Sequence, residues 1–157
     1  MKESIKTGIC FGLTSGTITT LGLMAGLAAG TSSRTAVLGG IITIAIADAL
    51  SDALGIHISE ESKFSTTKNQ VWEATGATFF TKFLFASTFA IPVFFMELSQ
   101  AVMVNIIWGT LVLAVMSYFI AKEQNSKPLH VITEHISIAL LVIFITDKIG
   151  GWIAYNL

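Results

Sequence analysis

AVLGGIITIAIADALSDALGIHISEES, residues 36–62, is the stretch on which the fold turns. Its first twelve residues, Ala36 to Ala47, carry no charge; Asp48 and Asp52 then appear inside an otherwise apolar run. His57, Glu60 and Glu61 follow where the run becomes polar. As a helix rising about 1.5 Å per residue it would be roughly 40 Å long, more than a hydrocarbon core of about 30 Å. It is therefore expected to cross a membrane and protrude on one side. Asp48 and Asp52 are four residues apart and share a helical face. Carboxylates at that depth are costly, and they face a cavity, a partner or an ion path.

The rest of the chain fits a membrane setting. Of 157 residues, 53% are hydrophobic and only 12% charged, where a soluble domain carries about 25% charged residues. The composition predicts an all-α polytopic membrane protein, a single transmembrane domain over residues 1–157. Net charge is −1 and the charges gather at segment ends, so the bilayer is the expected partner and nucleic acid is not. Cys10 is alone, which excludes an internal disulfide; it reads as a small packing residue before a soft metal ligand. The start, MKESIK and an apolar run, imitates a secretory leader. The run is about twice the length of a leader's apolar region and rich in Gly and Thr, so it is expected to be a first span instead.

Five spans of near 20 residues are predicted, at about 8–29, 36–59, 76–96, 100–121 and 131–153. Span one has two tandem GxxxG ridges, Gly8, Gly12, Gly16 and Gly22, Gly26, Gly30. Such ridges let backbones approach closely in lipid, which predicts a tight interface there, including one between protomers. The hydroxyls of Thr14, Ser15, Thr17, Thr19 and Thr20 bond back to the helix or hold a cation weakly, and Met24 reads as core. Residues 62–75 read as a polar connection carrying a short helical piece, with Trp72 at the interface. Lys82, near the start of the third predicted span, is expected to snorkel to the headgroups; pairing with Asp52 or Asp48 is the alternative. Pro92 predicts a kink, and Pro128 suits the first turn of span five. Asn105 is the one strongly polar group of span four. Asp147 and Lys148 are adjacent and point to different faces, which argues against an ion pair. Lys2, Lys6, Lys63, Lys68, Lys122 and Lys127 fall on one side and only Arg34 on the other. The positive-inside rule then puts the N-terminus in the cytoplasm and the C-terminus outside the cell membrane.

Two constellations could carry chemistry. At mid-membrane lie Asp48, Asp52, Ser51 and Ser15. Carboxylates four apart on one helix suit a hard or borderline cation, and buried carboxylates also carry protons; the alternative is that one acid pairs with Lys82 or Lys148 and shapes the bundle. The second group is expected at the cytoplasmic face: His57, Glu60 and Glu61 with His130, Glu134 and His135. The i,i+4 pairs His57/Glu61 and His130/Glu134 have the spacing of a divalent transition-metal site, although helix ends are polar in any case. No HExxH, P-loop or GxSxG occurs, and no cofactor fingerprint, so neither an enzyme nor a bound cofactor is expected.

Several stretches resemble one family. GLTSGTITTLGLMAGL in span one resembles the GLSDGLTVPFALAAGL pattern of the vacuolar iron transporter family. ADALSDALGIHISEES in span two is similar to that family's AGAISMGLGGYLAAKSE or ADGLSMGVGEYLS, with Ser51 and Gly55 matching and Glu61 near the trailing Glu. Ile91-Pro92 resembles its Ile-Pro, and ITDKIGGWI its closing TYLIGxLI. The resemblance implies five spans, a homodimer through spans one and two with the metal path between protomers, and proton-coupled export of Fe2+ or Mn2+ from the cytoplasm. It departs from the family in the acids. The family's span-one Asp is Ser15 here, its span-two Met is Asp52, an acid two turns earlier falls on Ile44, and the Glu-rich cytoplasmic helices are missing. One expectation is relocation, with Asp52 replacing the acid lost at Ser15. The site set is then Asp48, Asp52 and Ser15 for metal, Asp48 and Asp52 for protons, and the cytoplasmic His and Glu residues for capture. Two other functions are weighed: a non-transporting membrane module of the same fold, and a metal-dependent lipid transferase, whose earlier Asp pair has no counterpart before Asp48.

Overall fold

A computed structural model describes residues 2–156, and every regular element among them is helical. Five helical segments are long and apolar enough to cross a membrane: Glu3–Thr31, Arg34–Glu61, Lys68–Phe95, Leu98–Glu123 and Pro128–Asn156. This is the architecture of a multi-pass membrane protein. Span one is helix α1 (Glu3–Thr31). Span two comprises α2 (Arg34–Thr43), a π-helical turn (Ile44–Asp48) and α3 (Ala49–Glu61). Span three comprises α4 (Lys68–Thr88) and α5 (Ala90–Phe95). Spans four and five are α6 (Leu98–Glu123) and α7 (Pro128–Asn156).

All five predicted spans are present, and each helix runs past its apolar run into polar residues. The largest difference is at span three, which begins at Lys68 and not near residue 76. Thr67 is the reason. Its hydroxyl accepts from the Gln70 N–H while the Gln70 side chain returns to the Thr67 N–H at 2.9 Å, a capping box that starts the helix inside the polar connection. The other turns are equally local. Ser32 takes a left-handed φ of 48° to end α1, and the Ser33 side chain caps α2 by accepting from Ala36 N–H. Asn125, at φ 52°, ends α6; Ser126 N–H donates to Ala121 O at 2.9 Å and Asn125 N–H to Lys122 O at 3.4 Å, a Schellman pair that Asn tolerates. Pro128 opens α7 as expected.

Helix α1 is the centre of the bundle and packs against α2, α4, α6 and α7. The two glycine ridges explain how. A Cβ on Gly8 would strike the Ala74 carbonyl, one on Gly12 would lie 2.8 Å from Thr78 O, and one on Gly16 would lie 3.1 Å from Lys82 Cγ. The first ridge therefore brings the α4 backbone against α1. The second ridge does the same for α7: a Cβ on Gly22 would be 2.7 Å from Val142 Cγ1, and those on Gly26 and Gly30 3.3 and 3.2 Å from the carbonyls of Thr146 and Gly150. The tight interface predicted for span one exists, and both ridges are used inside one chain, against α4 and α7.

Span two shows a period that an α-helix alone would not hold. Val37, Ile41, Ala45, Ala49 and Ala53, every fourth residue, are all buried. In an α-helix a four-residue step overshoots a full turn by about 40°, so such a stripe would spiral off its neighbours. The wider π-turn at Ile44–Asp48 absorbs part of that drift. The opposite stripe, Gly39, Thr43, Ala47, Ser51, Gly55 and Ser59, is small and exposed over its whole length.

Span three breaks at Phe89 before Pro92, which has no N–H to give. The buried Asn105 amide of α6 donates to the Phe89 carbonyl at 2.8 Å. A side chain of a neighbouring helix thus satisfies a backbone group at the kink, as a lipid setting requires. Around it Leu21, Met24, Val37, Ile41, Phe89 and Val93 form the apolar core.

Candidate functional site: an ammonium sealed between two carboxylates

Because α4 starts early, Lys82 is fourteen residues after Lys68 and thirteen before Phe95, the ends of its span. At about 1.5 Å per residue either end is roughly 20 Å away, beyond a four-carbon stem. Snorkelling is excluded by distance, and the side chain of Lys82 is fully buried. The alternative reading of the sequence holds: Lys82 pairs with both acids.

The first glycine ridge lets α4 lie close enough to α1 for the Lys82 stem to pass Gly16. Its Nζ donates to Ser15 Oγ at 2.8 Å and to Asp52 Oδ2, and lies 2.5 Å from Asp48 Oδ2. Ser15 Oγ in turn donates to Asp52 Oδ2 at 2.5 Å. Three helices, α1, α3 and α4, with the π-turn, meet at one ammonium. Two carboxylates against one ammonium leave the cluster a formal charge of minus one. Both ion pairs use Oδ2, so Oδ1 of each acid is in neither pair. The exposure is graded. Lys82 is at 0%, whereas the Asp48 and Asp52 side chains keep 32% and 20% of their surface open. The cation is sealed and the anions form the accessible edge. An isolated buried ammonium costs several kcal/mol; here Asp52, hydrogen-bonded to it, and Asp48, in ion-pair contact, supply the counter-charges.

Ser15, Asp48 and Asp52 come together as expected, with Lys82 added as a fourth member. Ser51 does not join them; it lies exposed on the outer stripe of span two. The hydroxyls of Thr14 and Thr19 bond back to Cys10 O and Ser15 O of their own helix. Met24 is fully buried core.

The second group, expected to gather from span two and span five, does not assemble within the chain. His57 Nδ1 is 3.0 Å from Thr75 Oγ1 and its ring meets Trp72 edge-on. Glu60 is buried and pairs with Lys63 at 2.6 Å, while Glu61 is exposed. On α7, His130 and Glu134 are exposed and His135 Nδ1 is 2.7 Å from Ser117 Oγ. The reason is topological: α7 packs on α1 and α6, and α3 packs on α4. Among the described residues no three His, Cys, Asp or Glu side chains are close enough together to hold a metal ion. Asp147 and Lys148 do pair, at 3.1 Å. The expectation from their spacing failed because a long lysine stem on an exposed face can fold back along its own helix.

No protein-family model matches the chain, and no curated protein matches it.

Proposed function

We propose that this protein is a secondary transporter that exports divalent metal ions of the Fe2+/Mn2+ class from the cytoplasm in exchange for protons. On this reading it is a divergent relative of the vacuolar iron transporters, with its ion site rebuilt around Asp48, Asp52, Ser15 and Lys82. The observation that carries the reading is the sealed ammonium at mid-span, flanked by two partly open carboxylates. A lysine so placed occupies the position a cation substrate would take. A divalent ion arriving at the open edge meets Oδ1 of Asp48 and Asp52 first. Full coordination requires the ammonium to withdraw, after which Ser15 Oγ is free to turn toward the ion. When the ion leaves on the outer side, the two carboxylates take up two protons there, and they release them to the cytoplasm as the Lys82 ammonium returns. Site occupancy by lysine and by substrate is thus mutually exclusive, which is what an exchanger needs. A carboxylate where the family has a thioether favours harder ions, Mn2+ over soft ones.

The proposal includes the orientation given by lysine counting, N-terminus in the cytoplasm and C-terminus outside the cell membrane, and a homodimer. With both ridges of span one used within the chain, the exposed small-residue stripe of span two is the face offered to the second copy. It runs beside the two acids. The cytoplasmic residues His57, Glu60, Glu61, His130 and Glu134 act as separate capture points on this reading.

The test is flux in proteoliposomes with a metal-quenched dye inside. Wild type moves Mn2+ and Fe2+ and Asp52→Asn does not; equal flux in an Asp48→Asn/Asp52→Asn variant refutes the assignment. One feature favours a second reading, a non-transporting membrane module: the ammonium already compensates the acids. Folded wild-type protein that moves none of these ions supports that reading.

A further inference from the structure

On the face of α1 away from span two, a groove of about 470 Å³ runs between α1, α6 and the end of α4. Its walls are almost wholly apolar. Its far end is closed by Phe85 and Trp108, stacked 5° from parallel with centroids 6.4 Å apart, and Trp108 is fixed by its Nε1–H donating to Thr88 Oγ1 at 3.2 Å. Its near end is the Lys6–Glu123 ion pair, both side chains well exposed. There the groove continues into a polar pocket of about 260 Å³ that adds Glu3, Thr7 and Gln124. The groove and the pocket share Cys10, the only cysteine of the chain.

We infer that this groove and its polar mouth form a binding site for one acyl chain and the headgroup of an ammonium-bearing zwitterionic phospholipid, phosphatidylethanolamine in chemistry, drawn from the cytoplasmic-side leaflet. Size supports the chain. Trp108 to Glu123 is fifteen residues of helix, about 22 Å at 1.5 Å per residue, close to one leaflet of a bilayer some 40–45 Å thick. Charge supports the headgroup. Apolar contact in the groove is the same for lipids of any headgroup, so selection between headgroups rests on the mouth. Glu3 and Glu123 against Lys6 leave the mouth a formal charge of minus one, with the lysine already paired. Anionic lipids are recognised by clusters of free Lys and Arg, and the mouth has no unpaired cation. A lipid whose phosphate meets Lys6 and whose terminal ammonium meets Glu3 and Glu123 matches both signs. The site is independent of the ion reading of Asp48 and Asp52.

Native mass spectrometry of the full-length protein in detergent, with equal phosphatidylethanolamine and phosphatidylglycerol added, tests this. One phosphatidylethanolamine per chain is expected to be retained, and about five-fold less phosphatidylglycerol, the scale of one exposed ion pair. Val112→Trp, which fills the groove, is expected to cut retention about ten-fold, whereas Leu141→Trp, an exposed lipid-facing control on α7, leaves it unchanged. Glu3→Gln/Glu123→Gln turns the mouth cationic and is expected to reverse the headgroup preference. A second readout needs no variant: phosphatidylethanolamine slows maleimide labelling of Cys10 several-fold and phosphatidylglycerol does not. Equal retention of the two lipids overturns the proposal. So do retention untouched by Val112→Trp, loss of a dimer in place of a lipid in that variant, and Cys10 labelling indifferent to headgroup.

Discussion

Span two carries two sets of ionisable side chains a few turns apart, and the fold treats them oppositely. Asp48 and Asp52 are drawn, with Ser15, onto a single buried ammonium from another helix. His57, Glu60 and Glu61 each settle with whatever is beside them: a threonine, a lysine three residues on, and no ion-pair partner for Glu61 among the described residues. The residue types are similar; the surroundings are not. At mid-span a charge has no water, so it must find a counter-charge or be removed. At a helix end water and headgroups satisfy each group singly, and nothing forces convergence. The same contrast explains why i,i+4 spacing meant a shared site at 48 and 52 but not at 57 and 61.

The sharpest way to break this contrast is to unbalance the buried cluster. Asp48→Asn/Asp52→Asn leaves the Lys82 ammonium buried without a charged partner and is expected to cost about 3–5 kcal/mol of stability in detergent unfolding. Adding Lys82→Met to that double variant is expected to restore most of the loss, because a neutral set needs no counter-charge. If the triple variant is as unstable as the double, the cluster is not held by charge compensation. Next comes the ridge that delivers Lys82. Gly12→Ala puts a methyl 2.8 Å from a backbone carbonyl and is expected to cost about 1–3 kcal/mol; Gly151→Ala, exposed and with open space around it, is expected to cost nothing measurable. Removing the kink's hydrogen bond with Asn105→Ala is expected to cost about 1 kcal/mol, since interhelical bonds in lipid are modest. The smallest effect belongs to the scattered set: His130→Ala and Glu134→Gln are each expected to shift stability by under about 0.5 kcal/mol. A destabilisation of Glu134→Gln comparable with the Asp48/Asp52 double would erase the distinction between depth and surface.

Much of this was legible in the residues. The apolar runs gave the five spans, the glycine spacing gave the close approaches of α1, and Asp48 with Asp52 marked the site. The choice between snorkelling and pairing for Lys82 turns on one local signal: Thr67 and Gln70 form a capping box, which lengthens span three and puts Lys82 at its middle. The π-turn had no such signal. IAIAD is an unremarkable helical stretch, and its wider turn follows from the packing of span two on its neighbours, which no local pattern records. The destination of the glycine ridges was also invisible, because GxxxG states that a helix can come close and not which one. The failure of His57, Glu60 and Glu61 to gather with His130, Glu134 and His135 is topological: α7 could have lain beside α3, and it packs on α1 and α6 instead.

Thermal unfolding of the purified protein with and without Mn2+ tests most directly the proposal that a divalent cation binds at the Asp48–Asp52–Lys82 cluster. Wild type is expected to gain about 2.7 kcal/mol of stability at a Mn2+ concentration one hundred times Kd. The neutral triple variant Asp48→Asn/Asp52→Asn/Lys82→Met, folded by the argument above, is expected to gain none. An equal gain in wild type and triple variant would contradict the account and move the cation elsewhere in the molecule.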